Sequence, residues 1–185
     1  MPNTMWVFGY GSLIWNPEFQ VAEHHIARLA DWRRSFCMRS IHHRGSVNAP
    51  GLVLALDASA GASCDGVAFR VAPGAEAETL HLLRERELIS SAYLERNLVV
   101  TLANGAQVTA LAFVIDPDHD QYCGGLPLED QAQIIANAVG GRGRNRDYLN
   151  ATADHLAQLG IEDPDLTWLS IRVAALSEDD NAVVT

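Results

Sequence analysis

Two acidic side chains and one glycine turn are where this sequence could do chemistry. Glu85 and Glu87 lie in a segment where Leu80 and Leu83 stand three apart among Glu, Arg and Thr, as on an amphipathic helix. At about 100° per residue, position 87 returns to the Leu80/Leu83 stripe while position 85 points well away from it. Glu87 is therefore expected to face the core and Glu85 to face water. A carboxylate on an apolar face is costly unless paired or neutralised, so its pKa is expected to rise toward values useful for acid–base work. A plain salt bridge to Arg84 or Arg86 would account for the same pattern.

The glycine turn is Gly9-Tyr10-Gly11-Ser12-Leu13, which directly follows the bulky run Met5-Trp6-Val7-Phe8. That run reads as a buried strand ending in a glycine loop. Glycines let successive amides point into one concavity, which can hold a carboxylate or a developing oxyanion. Ile14 stands where the third Gly of GxGxxG belongs, so this is not a dinucleotide fingerprint. Nor does Ser12 have the GxSxG surroundings of a nucleophile elbow. In isolation such a segment is a tight turn with an ordinary serine.

Other candidates lack ligand spacing. His24-His25 and His42-His43 are adjacent pairs whose side chains diverge on regular structure. Asp116-x-Asp118-x-Asp120 begins like a calcium loop, but Gln121 replaces the turn glycine and Pro127 the bidentate Glu. Arg142, Arg144 and Arg146 form a basic cluster in a glycine-rich connection and read as a solvated loop. Cys37, Cys64 and Cys123 form neither a CxxC pair nor a disulfide framework, which suits packing roles in a reducing cytosol. No metal or cofactor is expected from these residues.

The elements that must position the acid and the turn follow from period and punctuation. Strands are expected at residues 5–8, 21–38, 52–56 and 66–71, with the small-residue stretch 57–62 ending one of them. A helix covers 76–88, and strands 98–102 and 108–115 are joined by Asn104-Gly105 as a hairpin turn. Residues 40–51 and 116–126 read as loops. Helices run from Pro127 to Gly140-Gly141 and over about 145–159, with Gly160 in the stop position. A last strand is expected at 166–175, and the acidic tail after Leu176 is expected to fray. Strands first and helices last give an α+β class around a mixed, mostly antiparallel sheet.

Composition narrows the function classes. The 185 residues fit one domain. A net charge of −10 repels phosphate backbones and anionic lipid, so neither nucleic acid nor membrane is an expected partner. No apolar run approaches the ~20 residues of a membrane span, and the first residues carry no secretion signal. A cytoplasmic protein acting on a small molecule is expected, with its oligomeric state left open.

In order along the chain, four motifs resemble the ChaC-like γ-glutamylcyclotransferase family over about residues 5–175. They are Trp6-Val7-Phe8-Gly9-Tyr10-Gly11-Ser12-Leu13-Ile14-Trp15, Ser40-Ile41-His42-His43-Arg44-Gly45, Arg86-Glu87 with Tyr93, and Gly143-Arg144-Asn145-Arg146-Asp147-Tyr148-Leu149. The first is the most specific. The resemblance implies one domain over 1–185 with a β-barrel-like core and flanking helices. It also implies a substrate loop at Gly9, Tyr10, Gly11, Ser12 and Leu13, and a single catalytic glutamate. The family leaves five residues between that glutamate and a tyrosine, which fits Glu87 with Tyr93 and agrees with the helical face. Ser90-Ser91-Ala92 stands where many relatives have a glycine-rich link. Arg44 and Tyr148 are further expected pocket residues.

The implied reaction converts glutathione to 5-oxoproline and Cys-Gly, the substrate's own α-amine attacking its γ-carbonyl. Nucleophile and electrophile share one molecule, so the enzyme must fold the chain and manage protons, with Glu87 as general acid and base and no metal or cofactor. The loop amides would hold either the glutamyl carboxylate or the oxyanion. The alternatives are a cyclotransferase acting on other γ-glutamyl amines or dipeptides, or a catalytically silent γ-glutamyl-binding protein of the same fold.

Overall fold

The computed structural model describes residues 4–88 and 92–182, the last three by backbone alone. Five strands form a closed barrel: β1 (Trp6–Gly9), β2 (Val21–Ser40), β3 (Gly51–Val71), β4 (Tyr93–Leu102) and β5 (Gln107–Ile115), in the order β1–β3–β2–β4–β5. β1 runs antiparallel to β3, with Val7 opposite Phe69. It also runs parallel to β5, with Trp6 opposite Ala110, and that pairing closes the ring. Leu56 of β3 meets Val114 of β5 in parallel register. Closure removes the exposed sheet edges that would otherwise seek a partner. The barrel is mixed, as the strand-then-helix order leads one to expect, and among the described residues it occurs with four α-helices in an α+β fold.

Local signals explain most elements. β4 and β5 form the expected hairpin, from Tyr93 opposite Ile115 to Thr101 opposite Gln107. Its turn uses Gly105 at φ +88°, and the Ala106 amide donates to Asn104 Oδ1 at 2.9 Å. Helices α1 (Glu76–Glu87), α2 (Leu128–Asn137) and α3 (Asn145–Gln158) lie where the apolar spacing put them. α3 buries Asn145, Tyr148, Leu149, Thr152 and Leu156 on one face. It ends at Gly160, whose φ of +73° suits a helix stop. After α2 the chain forms a two-residue ladder, β6 (Val139–Gly140) with β7 (Gly143–Arg144), rather than a simple glycine stop.

Three expectations are overturned. The small-residue stretch 57–62 does not end a strand: β3 continues through it from Gly51 to Val71. Asp31 at φ +67° on β2 and Gly61 at φ +81° on β3 bend these long strands, and the Gly61 amide donates to Asp31 Oδ1 at 3.0 Å. Small residues there mark a bend inside a strand, as glycine does at bulges. Residues 166–175 are not a strand, and the tail after Leu176 does not begin to fray there. Both belong to α4 (Pro164–Ala182). Its buried Leu166, Leu169 and Val173 keep helical spacing, Pro164 occupies its first position, and Asp163 Oδ1 caps the Leu166 amide at 3.1 Å.

The chain divides into two compact units. One comprises Met1–Ser35 with Ala55–Asp120, and contains β1, α1, β4, β5 and most of β2 and β3. The other comprises Phe36–Leu54 with Gln121–Thr185, and contains the remainder of β2 and β3 with the later helices. Within the second unit Arg172 of α4 grips Glu129 of α2 at 2.8 Å, and a bridge pairs Met38 with Tyr122. Among the described residues no cysteine forms a disulfide; Cys37 and Cys64 are buried, and burial pushes the half-buried Cys123 thiol up from its usual value. Among the described residues no helix is long and apolar enough to cross a membrane.

Candidate active site

β1 delivers the glycine turn. Val7 and Phe8 are fully buried, and Gly9 closes the strand. The approach of β3 is so close that a Cβ at position 66 would lie 2.3 Å from the Gly9 carbonyl oxygen, so only glycine fits at Gly66. Beyond Gly9 the chain is fixed by two buried contacts. Tyr10 donates its hydroxyl to the Phe113 carbonyl at 2.9 Å, and its own carbonyl accepts from Arg34 Nε at 2.7 Å. Arg34 is itself buried and also donates to the Asp65 carbonyl. The side chain of Tyr10 is thus engaged with the barrel wall.

Ser12, Leu13 and Ile14 then form one 3₁₀ turn capped by Gly11. The Ile14 amide donates to the Gly11 carbonyl at 3.0 Å, so the amides of Gly11, Ser12 and Leu13 lie ahead of the first bond the turn makes. No side chain caps that end. Leu13 is buried in a cluster with Val7, Val71, Ala75, Leu83, Leu111 and Phe113. Leu83 belongs to α1, so the turn and this helix share one patch of core. Tyr93 packs against the same cluster.

α1 presents the two glutamates as its spacing dictates. Thr79 and Leu83 are its buried residues, and Glu87 continues that side at the last turn. The Glu87 side chain is 16% exposed, against 65% for Glu85, which pairs with the exposed His81 ring at 3.2 Å. The arginines divide as well. Arg84 makes a bidentate pair with Glu95 of β4, at 2.8 and 3.0 Å. Arg86 turns the other way: its Nε lies 3.4 Å from Glu87 Oε1, and its Nη2 donates to Ser12 Oγ at 2.8 Å. Glu87 and the glycine turn are therefore joined through one guanidinium. Ser90 and Ser91, of the segment that departs from the glycine-rich link, lie outside the described residues.

Arg44 and Tyr148 belong to the second unit, where they meet. The Arg44 guanidinium carbon lies 5.5 Å from the Tyr148 ring centroid, within cation–π range. Its Nη1 donates to the Arg142 and Arg144 carbonyls at 3.0 and 3.2 Å. The Tyr148 hydroxyl accepts from the Leu54 amide at 3.2 Å. Residues of the loop after β2 are held by close glycine contacts: a Cβ at Gly51 would lie 2.2 Å from the Arg44 carbonyl, and one at Gly140 would lie 2.5 Å from the Arg44 amide. Burial, with Arg142, His42 and Arg44 nearby, pushes His43 down from its usual value.

Sequence reasoning named Arg86 and Asn145 but not Arg34, and it missed the long-range contacts of all three. Arg34 follows Trp32 with one residue between, and the alternation of a strand would have turned it inward. The Arg86 link joins positions 74 residues apart and has no local signature. Asn145 is completely buried and exchanges two hydrogen bonds with Leu52, its Oδ1 accepting at 2.8 Å and its Nδ2 donating at 2.7 Å. Among the described residues no group of three His, Cys, Asp or Glu side chains could hold a metal ion.

Comparison with known proteins extends this geometry. The chain is 37% identical to the glutathione-specific γ-glutamylcyclotransferase of Escherichia coli K12, over 93% of its own length and 74% of that protein. It is 36% identical to γ-glutamylcyclotransferase 2-3 of Arabidopsis thaliana, over 95% and 92% of the two chains. The fold is that of a yeast γ-glutamyl cyclotransferase specific to glutathione, with a TM-score of 0.84 at 22% identity, covering 93% of this chain and 96% of that one. A family model described as ChaC-like protein matches residues 5–176, and the chain belongs to that family.

Proposed function

We propose that this protein is a γ-glutamylcyclotransferase that cleaves glutathione to 5-oxoproline and Cys-Gly, with Glu87 as its general acid and base. The observation that carries this is the half-buried Glu87 carboxylate tied through Arg86 to the Ser12 turn, with both built on one core cluster. The names of the family relatives support the substrate class.

The chemistry needs little beyond placement and proton transfer. An α-ammonium, with a pKa near 8, is mostly protonated at neutral pH and cannot attack. Glu87 takes a proton from it, and the freed amine attacks the γ-carbonyl carbon to close a five-membered ring. The bond from that carbon to the cysteinyl nitrogen then breaks. Over the cycle the attacking nitrogen passes from ammonium to lactam N–H and the leaving nitrogen from amide N–H to ammonium. Two protons therefore cross, and a carboxyl that reaches both nitrogens can relay them. The amides of Gly11, Ser12 and Leu13, with Gly9 and Tyr10 shaping the approach, hold the glutamyl carboxylate or the developing oxyanion. Donors of the second kind are worth about 3 kcal/mol each. Arg44 and Tyr148 are proposed as pocket residues, and a reducing cytoplasm suits three cysteines outside any disulfide.

Purified protein incubated with glutathione, γ-Glu-Cys and γ-glutamyl amines tests the assignment. Release of 5-oxoproline from glutathione in preference to the others is expected. Preference for γ-glutamyl amines would move the specificity, and tight γ-glutamyl binding without turnover would make the protein a binder.

A further inference from the structure

We propose that Arg86 is the positioning residue that holds the Glu87 carboxylate in register with the Ser12 turn, an inference resting on the cyclotransferase assignment above. Each nitrogen of its guanidinium has a separate partner. Nη2 donates to Ser12 Oγ at 2.8 Å. Nη1 donates to the Asn16 carbonyl at 2.6 Å and lies 3.3 Å from Glu18 Oε2. Nε lies 3.4 Å from Glu87 Oε1. One partner is thus in the glycine turn, two are in the segment that follows it, and the fourth is the acid itself. The Arg86 side chain is only 15% exposed and its bond to Ser12 is part-buried, whereas its contacts with Asn16 and Glu18 lie open to water.

A guanidinium is a planar fork, so fixing two of its nitrogens fixes the direction of the third. Ser12 and Asn16 set the plane, and the plane then sets where the Glu87 carboxylate is drawn. Docking of α1 does not need this contact. Leu83 already packs with Leu13, and Arg84 already grips Glu95 at 2.8 Å. What Arg86 adds is orientation at the last turn of the helix. It also supplies a cation where the negative end of the helix dipole disfavours a carboxylate.

Displacing a catalytic group by about 1 Å costs about 100-fold in rate, and that is the loss expected in kcat for Arg86→Gln. KM for glutathione is expected to stay within about threefold, because the fork acts on the acid rather than on the substrate. Arg86→Lys restores the charge without the fork and is expected to recover less than about a tenth of the lost rate. Glu18→Gln, which leaves Ser12 and Glu87 untouched, should keep kcat within about twofold. Wild-type kcat in Arg86→Gln, or full recovery in Arg86→Lys, overturns the proposal while leaving the cyclotransferase assignment intact. A wild-type protein that makes no 5-oxoproline from glutathione overturns both. Should Arg86→Gln fail to fold, Arg86→Lys combined with Ser12→Ala decides. A joint loss smaller than the product of the single losses supports coupling through the fork, and simple multiplication contradicts it.

Discussion

Arg34 and Tyr10 meet in the barrel wall through a 2.7 Å hydrogen bond from the buried guanidinium to the carbonyl at the start of the glycine turn. The same side chain donates to the Asp65 carbonyl on β3, so one arginine links the glycine turn to β3 just beyond the Gly9–Val67 pair of the β1–β3 ladder. A buried guanidinium is costly, and it persists where it satisfies main-chain acceptors that would otherwise be orphaned.

Replacing Arg34 with Met keeps the stem and removes the donors. The buried Tyr10 carbonyl and the part-buried Asp65 carbonyl lose a donor, which is expected to lower unfolding free energy by about 2–4 kcal/mol. Urea unfolding checks this, and an unchanged midpoint would show that the carbonyls find other donors.

Asn145 fills a similar position in the second unit, where its amide exchanges two hydrogen bonds with Leu52. Asn145→Ala strands a buried N–H and a buried C=O, so a loss of about 2–4 kcal/mol is expected from denaturant unfolding. A loss below the error of that measurement would mean the start of α3 is held by packing alone.

The Arg84–Glu95 pair makes a pH-dependent contribution of predictable sign. The hydrogen bonds from Arg84 hold the Glu95 carboxyl below its usual value of 4.5, against the opposing effect of burial. A carboxyl depressed on folding stabilises above its unfolded value and loses that contribution as pH falls through the folded one. The pair is substantially exposed, so wild type should exceed Glu95→Gln by less than about 1 kcal/mol at pH 7. That difference should shrink as the pH drops below 4.5. A gap that is constant down to pH 2 would contradict the assignment.

Much of this was legible in the residues because it is local. The Val7-Phe8 strand, the Asn104-Gly105 turn and the helical face that separates Glu87 from Glu85 follow from spacings of a few positions. α4 was misread because Leu166, Trp168 and Val173 look strand-like in a short window, whereas Asp163 and Pro164 announce a helix start. β3 was cut in two because the small residues before Gly61 imitate a loop, and only its contact with Asp31 shows a bend in a continuing strand. The links from Arg34 to Tyr10, Arg86 to Ser12 and Asn145 to Leu52 join distant positions. Such polar contacts carry no period that sequence alone could display.

Initial-rate release of 5-oxoproline from glutathione, measured for Glu87→Gln beside Glu85→Gln, tests the central claim most directly. The two changes are chemically identical and lie two residues apart on one helix, so only their surroundings differ. The account predicts a loss of at least about 100-fold for Glu87→Gln with the fold retained, and near wild-type turnover for Glu85→Gln. Near-normal turnover in Glu87→Gln, or an equal loss in both variants, would contradict it.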